Sequence, residues 1–202
     1  MISLLDPNNK LNEHKNSLTV TYPKTVNIIF GHYPYPEDIH NLIIDIKNNI
    51  DKDLTNYTNV KGGMTSWNFF INKPIFDKFI TYVINKNQVS FPELFEHFYS
   101  KHTIFEAWGN EIKKGDSLNY HDHPMYHGIL YLTKGCDLIL PELNIKITPN
   151  VGDYYIFPAN VFHGFNEYTG ENNRYSLVFN ITRNKGFKYN LNIKELNERK
   201  NS

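Results

Sequence analysis

Two histidines one residue apart, His121 and His123, sit in the stretch Gly115–Tyr131, which reads GDSLNYHDHPMYHGILY. In an extended backbone, residues two apart share a face, so this pair aims two imidazoles into one space and sends Asp122 the other way. Neutral imidazole suits iron, zinc, copper and nickel. A third donor then has to arrive from a distant part of the chain, and His163 in GDYYIFPANVFHGF is the obvious one. A chain with this feature must fold so that separate strands converge. A lone histidine is more often a surface or hydrogen-bonded core residue. A pair plus a third histidine after a Gly-Asp…Pro turn favours a metal, with open positions left for substrate and oxygen.

The rest of the pattern says what kind of fold brings such strands together. Residues 1–16 are polar and read as a fraying end, and Leu18 to Phe30 reads as one or two strands around Pro23. Pro36, Glu37 and Asp38 open a helix, with acids at the positive end of its dipole; Ile39, Leu42, Ile43, Ile46 and Ile50 follow helical spacing to about Ile50. Residues 51–66 read as a loop, and Gly62-Gly63 lacks the Gly-Lys-Ser/Thr ending of a phosphate loop. A second helix starts at Pro74, with Ile75, Phe76, Phe79, Ile80, Val83 and Ile84 along one side, and a third follows Ser90-Phe91-Pro92-Glu93. After about Lys101 short β-like runs take over, at 103–112, 127–133, 137–140, 144–148, 154–157 and 174–182. Helices followed by strands predict an α+β fold: a double-stranded β-helix, jelly-roll or cupin-like, braced by N-terminal helices.

We expect one domain over 1–202, with strands and supporting helices in 1–101, the metal-binding β-helix core in 102–182 and a polar tail in 183–202. Lys plus Arg and Asp plus Glu are 21 each, so no net field draws the chain to nucleic acid or an anionic membrane. The single cysteine, Cys136, cannot form an internal disulfide, and no apolar run reaches the roughly 18 residues of a membrane span. The start, MISLLDPNNK, lacks the order of a signal peptide. A soluble, cytoplasmic protein is expected. Cys136 sits in a turn with Lys134 its one basic neighbour, and no nucleophilic role is assigned to it.

The strand beginning at Arg174 is the next most informative. Tyr175, Leu177, Phe179 and Ile181 share an apolar face suited to packing on the helices, while Arg174, Ser176, Val178 and Asn180 share the other. A mixed face of that kind usually meets water. Here the chain returns to Arg174 a short loop after His163, so this face should lie near the third imidazole. Arginine offers a planar fork for bidentate binding of a carboxylate, and Ser176 adds a donor on the same side. A carboxylate cosubstrate is the preferred reading over a surface arginine.

These residues resemble the iron(II)- and 2-oxoglutarate-dependent oxygenases, in particular a small group from phages and bacteria with a His-x-His-Pro element. The resemblance rests on Ala107-Trp108-Gly109-Asn110, Gly115, His121-x-His123-Pro124, Tyr131-Leu132, Gly152-Asp153, Phe157-Pro158, His163, and Arg174-x-Ser176 with Phe179-Asn180. It covers about residues 103–182, and Met64–Trp67 more loosely. It implies that His121 and His163 bind Fe(II) and that Arg174, assisted by Ser176, holds the distal carboxylate of 2-oxoglutarate. Asn110, Tyr131 and Trp108 would line that pocket. With O2, such an enzyme converts 2-oxoglutarate to succinate and carbon dioxide and hydroxylates a C–H bond. The wider superfamily places a carboxylate where this chain has His123. We therefore take His121, His123 and His163 as the ligands, Asp122 as a lesser candidate, and His127 as a fourth ligand or a hydrogen-bonding neighbour. A peptidyl side chain, a nucleobase and a small metabolite are all open as primary substrate. The competing reading is a metal-binding cupin, catalytic or not, in which His127 takes the usual place of a glutamate. Arg174-x-Ser176 separates the two, because only the oxygenase needs a carboxylate anchor.

Overall fold

The structure, a computed structural model, describes residues 2–4, 10–14, 17–21, 25–52, 59–87, 103–123, 126–158 and 160–183. In chain order these form β1 (Ile2–Leu4), β2 (Lys10–His14), β3 (Ser17–Thr21), β4 (Thr25–His32), α1 (Pro36–Asn48), β5 (Val60–Lys61), β6 (Gly63–Met64), α2 (Pro74–Asn87), β7 (Thr103–Ile112), β8 (Ser117–His121), β9 (Tyr126–Tyr131), β10 (Leu138–Leu140), β11 (Ile145–Ile147), β12 (Asp153–Pro158), β13 (His163–Phe165) and β14 (Arg174–Arg183). The larger sheet runs β2-β3-β4-β12-β9-β14-β7-β6 and the smaller β1-β11-β10-β13-β8-β5. The two face each other as a double-stranded β-helix, with the two helices on the outside of the larger sheet.

Side-chain alternation along β14 explains why the layers stack in this order. Tyr175, Leu177, Phe179 and Ile181 are buried against Leu42 and Ile46 of α1 and Phe76, Phe79, Ile80 and Val83 of α2. The helices close that face because each carries one apolar stripe. Pro36 opens α1 and Glu37 and Asp38 fill its first turn. The opposite face of the larger sheet packs Trp108, Ile129, Tyr131 and Val178 against Leu138, Leu140, Ile145 and Ile147 of the smaller one. The mixed face of β14 is thus buried between two sheets, where the reading from sequence placed it and not in water.

Two glycines permit the close approach of layers. A methyl group on Gly128 would lie 2.0 Å from the Phe179 ring, which sits across the strand pair from it; one on Gly109 would lie 2.2 Å from Ile46 of α1. Both neighbours are fully buried, so neither has room to yield. Gly128→Ala should lower stability by about 1–3 kcal/mol, as overpacking of a close-packed core does, and lower the melting temperature by roughly 2–10 °C. Calorimetry checks this; an unchanged melting temperature would mean the layers are more loosely packed than described.

Residues 1–16, read as fraying, contribute two strands. β1 pairs β11 with Ile2 opposite Ile147, and β2 pairs β3 with Lys10 opposite Thr21. The loop read over 51–66 also contains pairing: β5 joins β8 and β6 joins β7. Both corrections have one cause, since such short strands gain their order from distant partners that local pattern does not reveal. The third helix expected after Ser90 and the tail from 184 onward lie outside the described residues. No helix among the described residues is long and apolar enough to cross a membrane.

Candidate functional site

Three antiparallel strands of the larger sheet, β9, β14 and β7, line up the inner face in cross-strand rows. His127 lies opposite Asn180, and Asn180 opposite Glu106; then come Ile129, Val178 and Trp108; then Tyr131, Ser176 and Asn110. Arg174, paired with Ile112, begins the strand beyond them. At about 3.3 Å per residue, the first and third rows are about 13 Å apart along the backbone. The face therefore runs from an imidazole and amide, across an apolar row, to hydroxyls and a guanidinium.

The smaller sheet supplies the facing wall. β8 and β13 pair antiparallel with His121 opposite His163, so both imidazoles enter the same gap. The strand ends at His121, and His123 lies just past it. The expectation that both histidines sit on one continuous strand face is thus corrected, yet the rings still converge. Ring centroids are 4.7 Å apart for His121 and His123, 4.5 Å for His121 and His163, and 5.2 Å for His123 and His163. One ligand atom from each of the three can be chosen so that all lie within 4.8 Å of one another. Asp122 is exposed and outside that group, as its parity predicts. His127 joins from the other sheet, stacked on His123 at 4.4 Å with planes 3° apart, and 4.4 Å from His163.

Hydrogen bonds orient these rings. His121 Nδ1 lies 2.7 Å from the Asn119 carbonyl and His163 Nδ1 3.0 Å from that of Val161. A carbonyl only accepts, so each Nδ1 carries the proton and each Nε2 presents a lone pair. His163 Nε2 is buried with no partner. Burial, reinforced by neighbouring histidines, pushes His123 down to about 3 and His163 down to about 4; burial also lowers His121, and takes His127 well below its ordinary range. The rings are neutral at neutral pH, as metal ligation requires.

That electrostatic arrangement has a consequence for stability. An unfolded histidine titrates near 6.5, so between that value and about 4 the unfolded chain binds protons that the folded ring of His163 refuses. The contribution of the buried neutral rings is complete above pH 6.5 and is lost as pH falls through the folded values near 4 and 3. Metal-free protein should therefore melt at least about 5 °C lower at pH 4.5 than at pH 7. A melting series on His163→Asn alongside wild type checks it, because the variant should lose part of that slope. An equal slope would place the acid sensitivity elsewhere.

Between the sheets lies a pocket lined by His121, His127 and His163 at one end and Tyr131, Asn110, Arg174 and Ser176 at the other, with Trp108, Ile129 and Val178 between them. The buried polar atoms of lining residues with no hydrogen-bond partner include Trp108 Nε1, Asn110 Oδ1, His163 Nε2, Arg174 Nε and Ser176 Oγ. Buried polar groups are nearly always bonded, so orphans converging on one space mark a ligand site. Arg174 is 3% exposed, and no carboxylate pairs with it among the described residues. Its guanidinium lies between the Tyr131 and Phe165 rings, 4.9 Å and 5.2 Å from their centroids. Trp108 packs edge-on against Trp67 at 4.8 Å and lies 6.4 Å from the rings of His123 and His127.

Every residue singled out in the sequence falls in this region except Asp122, which turns outward. Several contributors were not among the sequence candidates. Val60, from the segment read as loop, lines the cavity through β5. Asn180 bonds to His127, and Glu106 accepts from Asn180 on its other side; the parity of Asn180 with Arg174 and Ser176 on β14 is the signal available for it, while Glu106 carries none. Cys136 also has a basic neighbour beyond Lys134. Burial pushes its thiol up, and Arg174 opposes this only in part.

No family model matches the chain, and no curated protein matches it in sequence. Solved structures are similar in fold. A prolyl-4-hydroxylase from Pseudomonas putida is 14% identical with a TM-score of 0.55, over 78% of this chain and 92% of that one. HygX from Streptomyces hygroscopicus, solved with nickel and 2-oxoglutarate bound, is 9% identical with a TM-score of 0.54, over 80% of this chain and 85% of that one. A prolyl hydroxylase from Trichoplax adhaerens, in complex with a peptide fragment of the hypoxia inducible factor oxygen degradation domain, is 10% identical with a TM-score of 0.54, over 77% of this chain and 83% of that one. At these identities the likeness is one of fold, a double-stranded β-helix.

Proposed function

We propose that the chain is a dioxygenase that uses Fe(II), 2-oxoglutarate and O2 to hydroxylate a C–H bond of its substrate. His121, His123 and His163 would hold the cation. Arg174, with Ser176, would hold the distal carboxylate of 2-oxoglutarate, and Tyr131, Asn110 and Trp108 would line its pocket. When bound, iron would supply the chemistry that activates O2, one oxygen atom going to succinate as 2-oxoglutarate loses carbon dioxide and the other to the substrate.

The observation that carries this reading is the buried guanidinium of Arg174, which no carboxylate among the described residues neutralises and which faces an imidazole cluster across an apolar row. An unpaired buried charge costs several kcal/mol, roughly, and an anionic ligand removes that cost. A five-carbon diacid suits the layout: one end for a cation on the imidazoles, methylenes against Ile129 and Val178, the other end for the guanidinium fork. The apolar row excludes water from the middle of the cavity, and Arg174 fixes the orientation of the diacid along it. A cupin without such a cosubstrate has no use for a buried arginine here, so Arg174 favours the oxygenase.

Protein loaded with Fe(II) and supplied with 2-oxoglutarate and air should form succinate slowly even without its primary substrate, and Arg174→Leu should not. Iron-loaded protein that neither consumes 2-oxoglutarate nor binds it would overturn the reading.

A further inference from the structure

Both tryptophans of the chain, Trp67 and Trp108, stand together beside the imidazole end of the pocket. Trp108 is 3% exposed and lines the pocket; Trp67 packs on it and is itself 39% exposed. Backbone bonds fix this arrangement. The Ala107 amide donates to the Trp67 carbonyl at 3.1 Å, and the Thr65 amide to the Gly109 carbonyl at 2.9 Å. The segment carrying Trp67 is thus tied to β7 at the two residues that flank Trp108. An indole held this firmly and still open to water is suited to contact with a ligand.

β7 places a carboxylate next to the pair. Glu106 and Trp108 are two apart, so they share the inner face with Cα atoms about 6.6 Å apart. Glu106 is half-buried, and the Asn180 amide donates to its Oε2 at 3.1 Å. The same amide nitrogen lies 3.3 Å from His123 Nδ1, so a single side chain separates the carboxylate from the imidazole cluster. No lysine or arginine among the described residues pairs with Glu106, and none lies over either indole. Asp122, exposed just past the end of β8, likewise has no cation partner among them. The two ends of the site are therefore opposite in demand: Arg174 lacks an anion, and Glu106 lacks a cation.

We propose that Glu106, Trp67 and Trp108 form the recognition site for a cationic primary substrate, one that brings an alkylammonium or guanidinium group to the centre. The carboxylate supplies the opposite charge, and the indoles supply negative ring faces that attract a cation within about 6 Å. Glu106 also offsets the repulsion such a group would feel from a metal cation held by neutral imidazoles. An uncharged substrate of the same shape would gain neither contact. This inference deepens the proposed oxygenase reading, on which it rests for taking this as the substrate side of the centre.

Because the chain has no other tryptophan, tryptophan fluorescence reports on this site alone. Protein loaded with Zn(II) and 2-oxoglutarate is titrated with pentylamine and with an acetylated pentapeptide carrying one lysine or one arginine. The uncharged counterparts are 1-pentanol and the norleucine peptide; amine and peptides separate a free cation from a side chain. At least one cationic probe should bind saturably, about tenfold or more tighter than its uncharged counterpart. Glu106→Gln keeps an oxygen for Asn180 and removes the charge, and should weaken that probe about tenfold. Trp67→Leu, read on Trp108, should weaken it about fivefold. Both variants should bind Zn(II) and 2-oxoglutarate as wild type does. No response to any cationic probe, equal binding of charged and uncharged probes, or undiminished cation affinity in Glu106→Gln would overturn the proposal. A Glu106→Gln protein that no longer holds Zn(II) would also overturn it, by placing Glu106 in the metal centre. Glu106-dependent cation binding without 2-oxoglutarate binding would support this site and sink the cosubstrate reading. Binding of 2-oxoglutarate with no cation preference would sink this proposal alone.

Discussion

His163→Ala should abolish tight metal binding while leaving the protein folded. This imidazole is 1% exposed, its Nδ1–H is bonded to the Val161 carbonyl, and its Nε2 has no partner. Structural sites of four ligands bind zinc with about 10–16 kcal/mol, so one ligand is worth on the order of 3 kcal/mol, or about a hundredfold or more in affinity. The metal-free variant loses a ring that was itself under-bonded, so its stability should change little. Equilibrium dialysis against Fe(II) or Co(II), with a melting curve of the metal-free protein, separates the two effects. A variant that binds metal as wild type does removes His163 from the centre; one that unfolds without metal present makes it a structural residue.

Arg174→Leu should remove 2-oxoglutarate binding and leave metal binding intact. Truncating one member of a buried, hydrogen-bonded charge pair costs about 2–5 kcal/mol, roughly thirtyfold to several thousandfold in affinity. Arg174→Lys should fall between, since an ammonium keeps the charge and loses the fork. The sign of the stability change is the sharper test. A structural arginine in an ion pair would destabilise the fold by about 3–5 kcal/mol when removed. Arg174 has no such partner among the described residues, and its contacts are the Tyr131 and Phe165 rings. The ligand-free melting temperature should therefore hold to within a few degrees, and the rise that 2-oxoglutarate gives wild type should vanish. At a hundred times Kd that rise reflects about 2.7 kcal/mol, or roughly 5–10 °C.

Both expectations stem from residues visible in the sequence, and the reason is local. The period-two alternation of β14 put Arg174, Ser176, Val178 and Asn180 on one face and Tyr175, Leu177, Phe179 and Ile181 on the other. The helices at Pro36–Asn48 and Pro74–Asn87 were equally legible, because proline, acids and a 3.6-residue apolar period mark them without reference to anything distant. What depended on distant partners was hidden. β1 is a strand because Ile2 meets Ile147, and β5 because Val60 meets Leu118. His121 meets His163 through the β8–β13 register, which no local pattern encodes. Asn180 shows the limit most clearly. Its parity placed it on the cavity face, but its hydrogen bonds depend on Glu106 and His127 lying opposite it in neighbouring strands.

A cation gripped by imidazoles at one end of the cavity and a diacid held by Arg174 at the other is the central claim. Anaerobic titration of the protein with Fe(II) and then 2-oxoglutarate tests it most directly, because a 2-oxo acid chelated to ferrous iron gives a visible charge-transfer band. We expect that band in wild type, its absence in His121→Ala, and strong weakening in Arg174→Ala. Iron bound with no band at saturating 2-oxoglutarate would contradict it.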